Sequence, residues 1–124
     1  MGKGVLIDTD VLIEYIKGRR ELPSEPRFIS EITLYEFIRG TKDSYKAKKL
    51  LEEDFIVIFH DNDILRNAAE MWKKLRSQGK LVDDRDLLIA ATSISRDLPL
   101  LTGNFKHFER LKEFGLKFYG NIAK

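Results

Sequence analysis

The stretch VLIDTDVLIEYI, residues 5–16, decides the fold class because it passes directly from a strand pattern to a helix pattern. Its first three apolar residues are typical of a buried strand. The next apolar positions are 11, 12, 13, 15 and 16, which predict a helix over residues 9–17. Asp8 lies at the junction, where open α/β sheets bind their ligands. Alternatively, Thr9 or Asp10 caps the helix, and Asp8 then has no evident role.

The composition favours one globular domain over residues 1–124. The chain is 43% hydrophobic and 34% charged, within the range of soluble proteins. The apolar run at 87–91 is too short to cross a membrane, and the N-terminus lacks the layout of a signal peptide. The absence of cysteine excludes disulfides and thiolate metal sites. We therefore expect a cytoplasmic protein.

The net charge of +2 conceals three local groups of lysine and arginine, at 17–20, 42–49 and 73–85. Such groups are usually solvated helix faces. A rim of contacts to the phosphates of a nucleic acid is the alternative.

Strand and helix patterns alternate along the rest of the chain. Four more strands are predicted, at 27–29, 55–59, 98–102 and 116–120. The run FIVIF at 55–59 has the composition of a fully buried strand. Helices are predicted between the strands, at 31–40, 44–53, 62–79, 83–95 and 104–115. This order predicts an α/β fold, a three-layer α/β/α sandwich around a short, mostly parallel sheet.

Several polar residues are poorly explained by local structure. Glu36 has no lysine three or four residues away with which to pair. Asp86 is the acid nearest to a buried helical segment, in a run of three aspartates of which capping needs only one. Thr102 and Asn104 lie at the carboxyl end of a predicted strand, as Asp8 does, although turn chemistry also explains them.

Asp8, Glu36, Asp86 and Asn104 are therefore candidates to converge on one crevice. Clustered carboxylates need a counter-charge to stay ionised. Hard divalent ions such as Mg²⁺ and Mn²⁺ take oxygen ligands, and they can activate water for displacement at phosphorus. We expect an acidic metal pocket.

The order of four motifs resembles a known family over nearly the whole chain. The motifs are VLIDTDVLIEYIKG, ITLYEFIRG, DDRDLLIAATS and LLTGNFKHFERLKEFGLKF. In this order they resemble the PIN-domain nucleases, and more closely the VapC-type toxins of prokaryotic toxin–antitoxin pairs. The resemblance implies a PIN-like fold.

The resemblance also implies roles for individual residues. Asp8, Glu36 and Asp86 would be the catalytic, metal-binding acids. Asn104 would occupy the fourth such position, where it replaces the acid of the commoner pattern. Supporting roles are also implied, with Thr102 ordering a water molecule and Asp84 or Asp10 adding outer charge.

The implied activity is that of a Mg²⁺-dependent endoribonuclease, with Mn²⁺ as a substitute. A metal-activated water would hydrolyse RNA phosphodiester bonds and leave a 5′-phosphate. Structured RNA such as tRNA is the implied substrate class. The implied partners are a VapB-type antitoxin, whose tail blocks the acids, often with an arginine, and a second copy in a homodimer.

Two other functions fit part of the pattern. A catalytically silent PIN-like module would only bind partners, and its expected signature is the loss of one main acid. A phosphoacceptor receiver domain would use Asp8, Asp10 and Asp61, but it leaves Glu36 and Asp86 without a role.

Overall fold

The computed structural model describes residues 3–120, so residues 1, 2 and 121–124 of the expected domain lie outside the described part. Four strands form one sheet in the order β3–β2–β1–β4, and their pairings are parallel. The strands are β1 (Val5–Ile7), β2 (Arg27–Ser30), β3 (Ile56–Ile58) and β4 (Leu100–Leu101).

The helices of the described part lie between and after these strands. They are α1 (Thr9–Ile16), α2 (Glu31–Ile38), α3 (Ser44–Asp54), α4 (Asn62–Ser77), α5 (Asp84–Arg96) and α6 (Phe105–Phe108), followed by a 3₁₀ helix at Glu109–Phe114. Within residues 3–120, no helix is both long enough and apolar enough to cross a membrane.

β1 is fully buried and separates two cores. Leu6 packs into one core with apolar residues of α4, α5 and α6. Val5 and Ile7 pack into the other core with residues of α1, α2 and α3. This division follows the alternation of side chains along a strand. Helices therefore cover both faces of the sheet, which confirms the α/β/α sandwich.

The strand order places a crevice at the carboxyl ends of β1 and β4. The chain adds β2 and β3 on one side of β1 and then crosses to add β4 on the other. Such a change of direction opens a gap between neighbouring strand ends, where α/β proteins bind ligands. Asp8 follows β1 and Thr102 follows β4, so both lie at this gap.

The sheet differs from the prediction at its two edges. The expectation of a fully buried strand at 55–59 is wrong, because β3 is an edge strand in which Ile56 is 53% exposed. The predicted strand at 116–120 is also wrong. A single bridge joins Phe118 to Leu100, since the two-residue β4 offers little backbone for a ladder.

Helix ends agree with the prediction in some places and not in others. Ser30 caps α2 and Asp61 caps α4, so both helices begin at the predicted residues, 31 and 62. The N-cap of α1 is Asp8, whereas the sequence pointed to the two residues after it. Asp83 precedes α5 without forming a cap hydrogen bond, so capping does not explain the run of aspartates there.

Candidate active site

Three carboxylates from distant parts of the chain meet around the guanidinium of Arg85. The Arg85 nitrogens donate to Asp8 Oδ1 at 3.1 Å, to Glu36 Oε2 at 2.6 Å and to Asp86 Oδ1 at 2.7 Å. Asp8 follows β1, Glu36 lies in α2, and Asp86 lies in the first turn of α5. The fold thus brings together the three acids that the sequence pointed to.

These carboxylates are more deeply buried than the cation they share. Their side chains are 0% exposed for Asp8, 15% for Glu36 and 7% for Asp86, against 28% for Arg85. Burial opposes the charge on Arg85, but the surrounding carboxylates outweigh it and raise the pKa of Arg85. Burial also raises the pKa of Asp86, and Arg85 only partly offsets this effect. The single positive charge of Arg85 is therefore shared among three carboxylates.

Two threonine hydroxyls hold the carboxylates on the side away from Arg85. Thr102 Oγ1 donates to Asp8 Oδ2 at 2.7 Å, and Thr9 Oγ1 donates to Glu36 Oε1 at 2.7 Å. Thr102 is one of the predicted supporting residues. Thr9 was missed because a threonine at the start of a helix is usually read as a cap. A signal was available, since Thr9 directly follows the candidate Asp8.

The loop after β4 is tied to the start of α1. The N–H of Gly103 donates to Asp10 Oδ2 at 3.0 Å, and the N–H of Asn104 donates to Thr102 Oγ1 at 2.9 Å. Burial and the neighbouring Asp8 charge raise the pKa of Asp10. Asn104 itself is exposed and forms no side-chain cap bond to α6, so its role as a ligand stays a prediction.

Asp84 lies in different surroundings from the three acids. It is exposed and lines a groove between α4 and α5 with Trp72 and Leu88. Its supporting role also stays a prediction.

The three predicted basic groups are largely solvated, and several of their members pair with nearby acids. Lys48 lies 2.7 Å from Glu52, and Lys73 lies 3.7 Å from Glu70. Arg85 is the exception within the third group, because it faces the carboxylates. Arg85 is paired with the acids, and the phosphate-binding rim stays a prediction.

Two further cations and a histidine border Asp86. Lys106, His107 and Arg110 line a groove of about 270 Å³ that includes Asp86. His107 Nδ1 lies 3.9 Å from Asp86 Oδ2. The sequence signal for this rim was the spacing of basic residues in KHFER, directly after the predicted fourth acid position.

The donor set suits a hard divalent cation. In the part of the chain described here, no three acidic, histidine or cysteine side chains already form a metal cage. The three carboxylates nevertheless direct oxygens at a single cationic group, the Arg85 guanidinium. Oxygen-only ligation is what Mg²⁺ and Mn²⁺ prefer. By donor chemistry, Asp8, Glu36 and Asp86 fit such an ion.

The parallel sheet has three acids at its switch point, so the chain is an α/β protein with an acidic site. Its similarity to known proteins identifies the family. Residues 5–113 match the family model for the PIN domain. The chain therefore belongs to the PIN-domain family.

Named relatives and a solved structure agree with this membership. Ribonuclease VapC1 of Methanocaldococcus jannaschii is 47% identical over 120 residues, covering 93% of this chain and 86% of that protein. The tRNA(fMet)-specific endonuclease VapC of Salmonella typhimurium is 30% identical over 119 residues, covering 86% and 90%. The structure of VapBC-1 from nontypeable Haemophilus influenzae matches with a TM-score of 0.78 and 26% identity, covering 98% of this chain and 99% of that chain.

The receiver-domain alternative is wrong. Asp61 follows β3, and β2 lies between β3 and β1, so Asp61 does not share the crevice of Asp8. Asp61 instead caps α4 and pairs with Arg96 at 2.5 Å. The Ile64 N–H and Arg96 lower the pKa of Asp61.

Proposed function

We propose that this protein is a divalent-metal-dependent endoribonuclease and the toxin of a type II toxin–antitoxin pair. The observation that carries the proposal is the convergence of Asp8, Glu36 and Asp86 on one cationic group at the sheet's switch point. The ribonuclease names of the relatives support the reaction class.

The three acids would hold Mg²⁺, or Mn²⁺ in its place, and Asn104 would offer a further oxygen. When bound, such an ion supplies activation of water and stabilisation of negative charge at phosphorus. The donor chemistry of the site supports this assignment, because the acids present only carboxylate oxygens.

The protein's own side chains would set the geometry of the reaction. Thr9 and Thr102 orient the acids by hydrogen bonds to the oxygens that face away from Arg85. Lys106 and Arg110 would contact the RNA backbone in the groove beside Asp86. Because these contacts are ionic, RNA binding should weaken as the salt concentration rises.

Structured RNA, with tRNA as the first class to test, is the proposed substrate. The name of the Salmonella relative specifies a tRNA and supports this choice.

A VapB-type antitoxin is the proposed partner, since a structural neighbour is a VapBC complex. The acid cluster already accommodates one guanidinium, so an antitoxin arginine is chemically suited to it. We also propose a homodimer, as the family resemblance implies.

The first test is a Mn²⁺ titration by calorimetry on the partner-free protein. The variants are Asp86→Asn, inside the acid cluster, and Asp61→Asn, a matched change of charge outside it. We expect Asp86→Asn to abolish binding and Asp61→Asn to bind as the wild type does. If the wild type binds no Mn²⁺, catalysis is abandoned in favour of the silent binding module.

The second test is cleavage of a pool of purified tRNAs. Metal-dependent cuts with 5′-phosphate ends, lost in Asp86→Asn and kept in Asp61→Asn, are the expected result. Metal binding without cleavage of any RNA would support the proposed metal site and contradict the proposed nuclease activity.

A further inference from the structure

Arg85 contacts all three acids at once, with a different nitrogen on each. Nε reaches Glu36, Nη1 reaches Asp86 and Nη2 reaches Asp8. A guanidinium presents its donors in a rigid planar fork. Its position therefore constrains the relative positions of three carboxylates that come from three separate elements.

The oxygens that face Arg85 are the ones that a divalent ion would need. The other oxygens of Asp8 and Glu36 accept hydrogen bonds from Thr102 and Thr9. Ligand oxygens lie about 2.0–2.1 Å from Mg²⁺. The Arg85 nitrogens lie 2.6–3.1 Å from their carboxylate oxygens, so they fill the space between the acids. A divalent ion that used these same oxygens and the guanidinium would therefore exclude one another.

We infer that Arg85 is a positioning residue that holds the three carboxylates together in the metal-free protein and must swing out before a divalent cation can bind. This inference rests on the proposed metal-dependent function. Three carboxylates that are 0–15% exposed repel one another, and a cation between them offsets this repulsion. Arg85 brings one positive charge and a divalent ion brings two, so the ion can take its place.

The location of Arg85 allows this exchange. Its side chain is 28% exposed, and the residue lies in the first turn of α5 at the edge of the crevice. A change of side-chain rotamer can carry the guanidinium into solvent without unfolding the helix.

Competition and ordinary structural support predict opposite effects on metal affinity. If Arg85 competes with the ion, the observed metal affinity is the intrinsic affinity multiplied by the fraction of molecules in which the Arg85 side chain has left the acid cluster. Removing Arg85 then weakens the metal-free fold but tightens metal binding. If Arg85 only supports the fold, its removal lets the three carboxylates move apart. Both the stability of the metal-free protein and its metal affinity then fall.

The experiment compares Arg85→Gln with Arg96→Gln in Mn²⁺ calorimetry and in thermal unfolding of the metal-free protein. Arg96 is a matched control, because it lies in the same helix and pairs with Asp61 outside the acid cluster. We expect Arg85→Gln to bind Mn²⁺ about tenfold or more tightly than the wild type. It should also have a lower Tm without metal, whereas Arg96→Gln should bind Mn²⁺ as the wild type does.

Two further variants keep the test decisive if glutamine prevents folding. Arg85→Lys keeps the charge but places it on one nitrogen instead of the three nitrogens of a planar fork, so its Mn²⁺ affinity should lie between those of the wild type and Arg85→Gln. In Arg85→Ala, millimolar guanidinium chloride should raise the Tm of the metal-free protein and should compete with Mn²⁺. The wild type should show neither effect.

The outcomes separate this inference from the function on which it rests. Equal or weaker Mn²⁺ binding by Arg85→Gln overturns the competition and leaves the metal-dependent nuclease intact. No Mn²⁺ binding by the wild type or by any of the three Arg85 variants overturns both.

Discussion

Replacing Thr9 by valine removes a hydroxyl that hydrogen-bonds both to Glu36 of the acid site and to Thr33. Thr9 Oγ1 lies 2.7 Å from Glu36 Oε1 and 3.0 Å from Thr33 Oγ1. A hydroxyl has one proton. Thr9 therefore donates it to the charged carboxylate and accepts the proton of Thr33. Since Thr9 is 7% exposed and Thr33 is 0% exposed, water cannot replace the partner that Thr33 loses.

The size of the effect follows from these two bonds. A hydrogen bond to a charged group contributes about 1.5–3 kcal/mol, and a buried polar group left without a partner costs about 1–3 kcal/mol. Valine keeps the volume of threonine, so no cavity adds to the loss, and Glu36 keeps its bond to Arg85. We expect the free energy of unfolding to fall by about 2–3 kcal/mol, or roughly 30- to 140-fold in the unfolding equilibrium constant.

Urea denaturation of the metal-free protein measures this change, and Thr9→Ser is the control. Serine keeps the hydroxyl and loses one methyl group, for which we expect a loss of about 0.8 kcal/mol. A double-mutant cycle with Glu36→Gln isolates the bond between the two side chains. If the valine and serine variants unfold at the same urea concentration, the hydroxyl does not hold Glu36 and the reasoning is refuted.

Three further predictions concern the loop after β4, the cap of α4 and the proposed ion. A Cβ on Gly103 would lie 2.5 Å from Asp10 Oδ2, the end of a flexible side chain, so Gly103→Ala should displace that carboxylate from the Gly103 N–H and lower the free energy of unfolding in urea by about 0.5–1.5 kcal/mol; in an Asp10→Ala background it should have little further effect. Because the Ile64 N–H and Arg96 lower the folded-state pKa of Asp61, its ionised form adds stability above the unfolded pKa of about 3.9, and this stability is lost as the pH falls through the folded-state pKa. The Tm of the wild type should therefore exceed that of Asp61→Asn at neutral pH, and the two Tm values should converge at acidic pH. A difference in Tm that does not change with pH would contradict this. Chelation by EDTA should abolish tRNA cleavage in a gel assay, and Mn²⁺ should restore it; cleavage that persists in EDTA would exclude a metal-dependent reaction.

The positions of the three acids were predictable because local structure left them unexplained. Asp8 follows a buried strand, and Asp86 adjoins a buried helical segment. A parallel α/β order places the ends of neighbouring strands at one edge of the sheet. The structure confirms that these acids and Glu36 meet there, whereas their part in catalysis stays a prediction.

The partners of these acids were not predictable, because side-chain direction is not encoded locally. Arg85 lies between two aspartates on an acidic helix start, yet it pairs with Glu36 and Asp8, which are 49 and 77 residues away. The exposure of β3 has a similar cause. An apolar run of five residues gives the same signal in the centre of a sheet and at its edge, and only the strand order decides between them.

The pairing of β1 with β4 has a consequence for the newly made chain. Asp8 and its hydrogen-bond partner Thr102 are 94 residues apart. At about 5–20 residues per second, a ribosome needs roughly 5–20 s to add the second after the first. Until β4 and Thr102 have been added, β1 can pair only with β2, and the side of the crevice that β4 forms is missing. The hydrogen bond from Thr102 to Asp8 therefore forms only late in synthesis, after the three acids of the site have all been added.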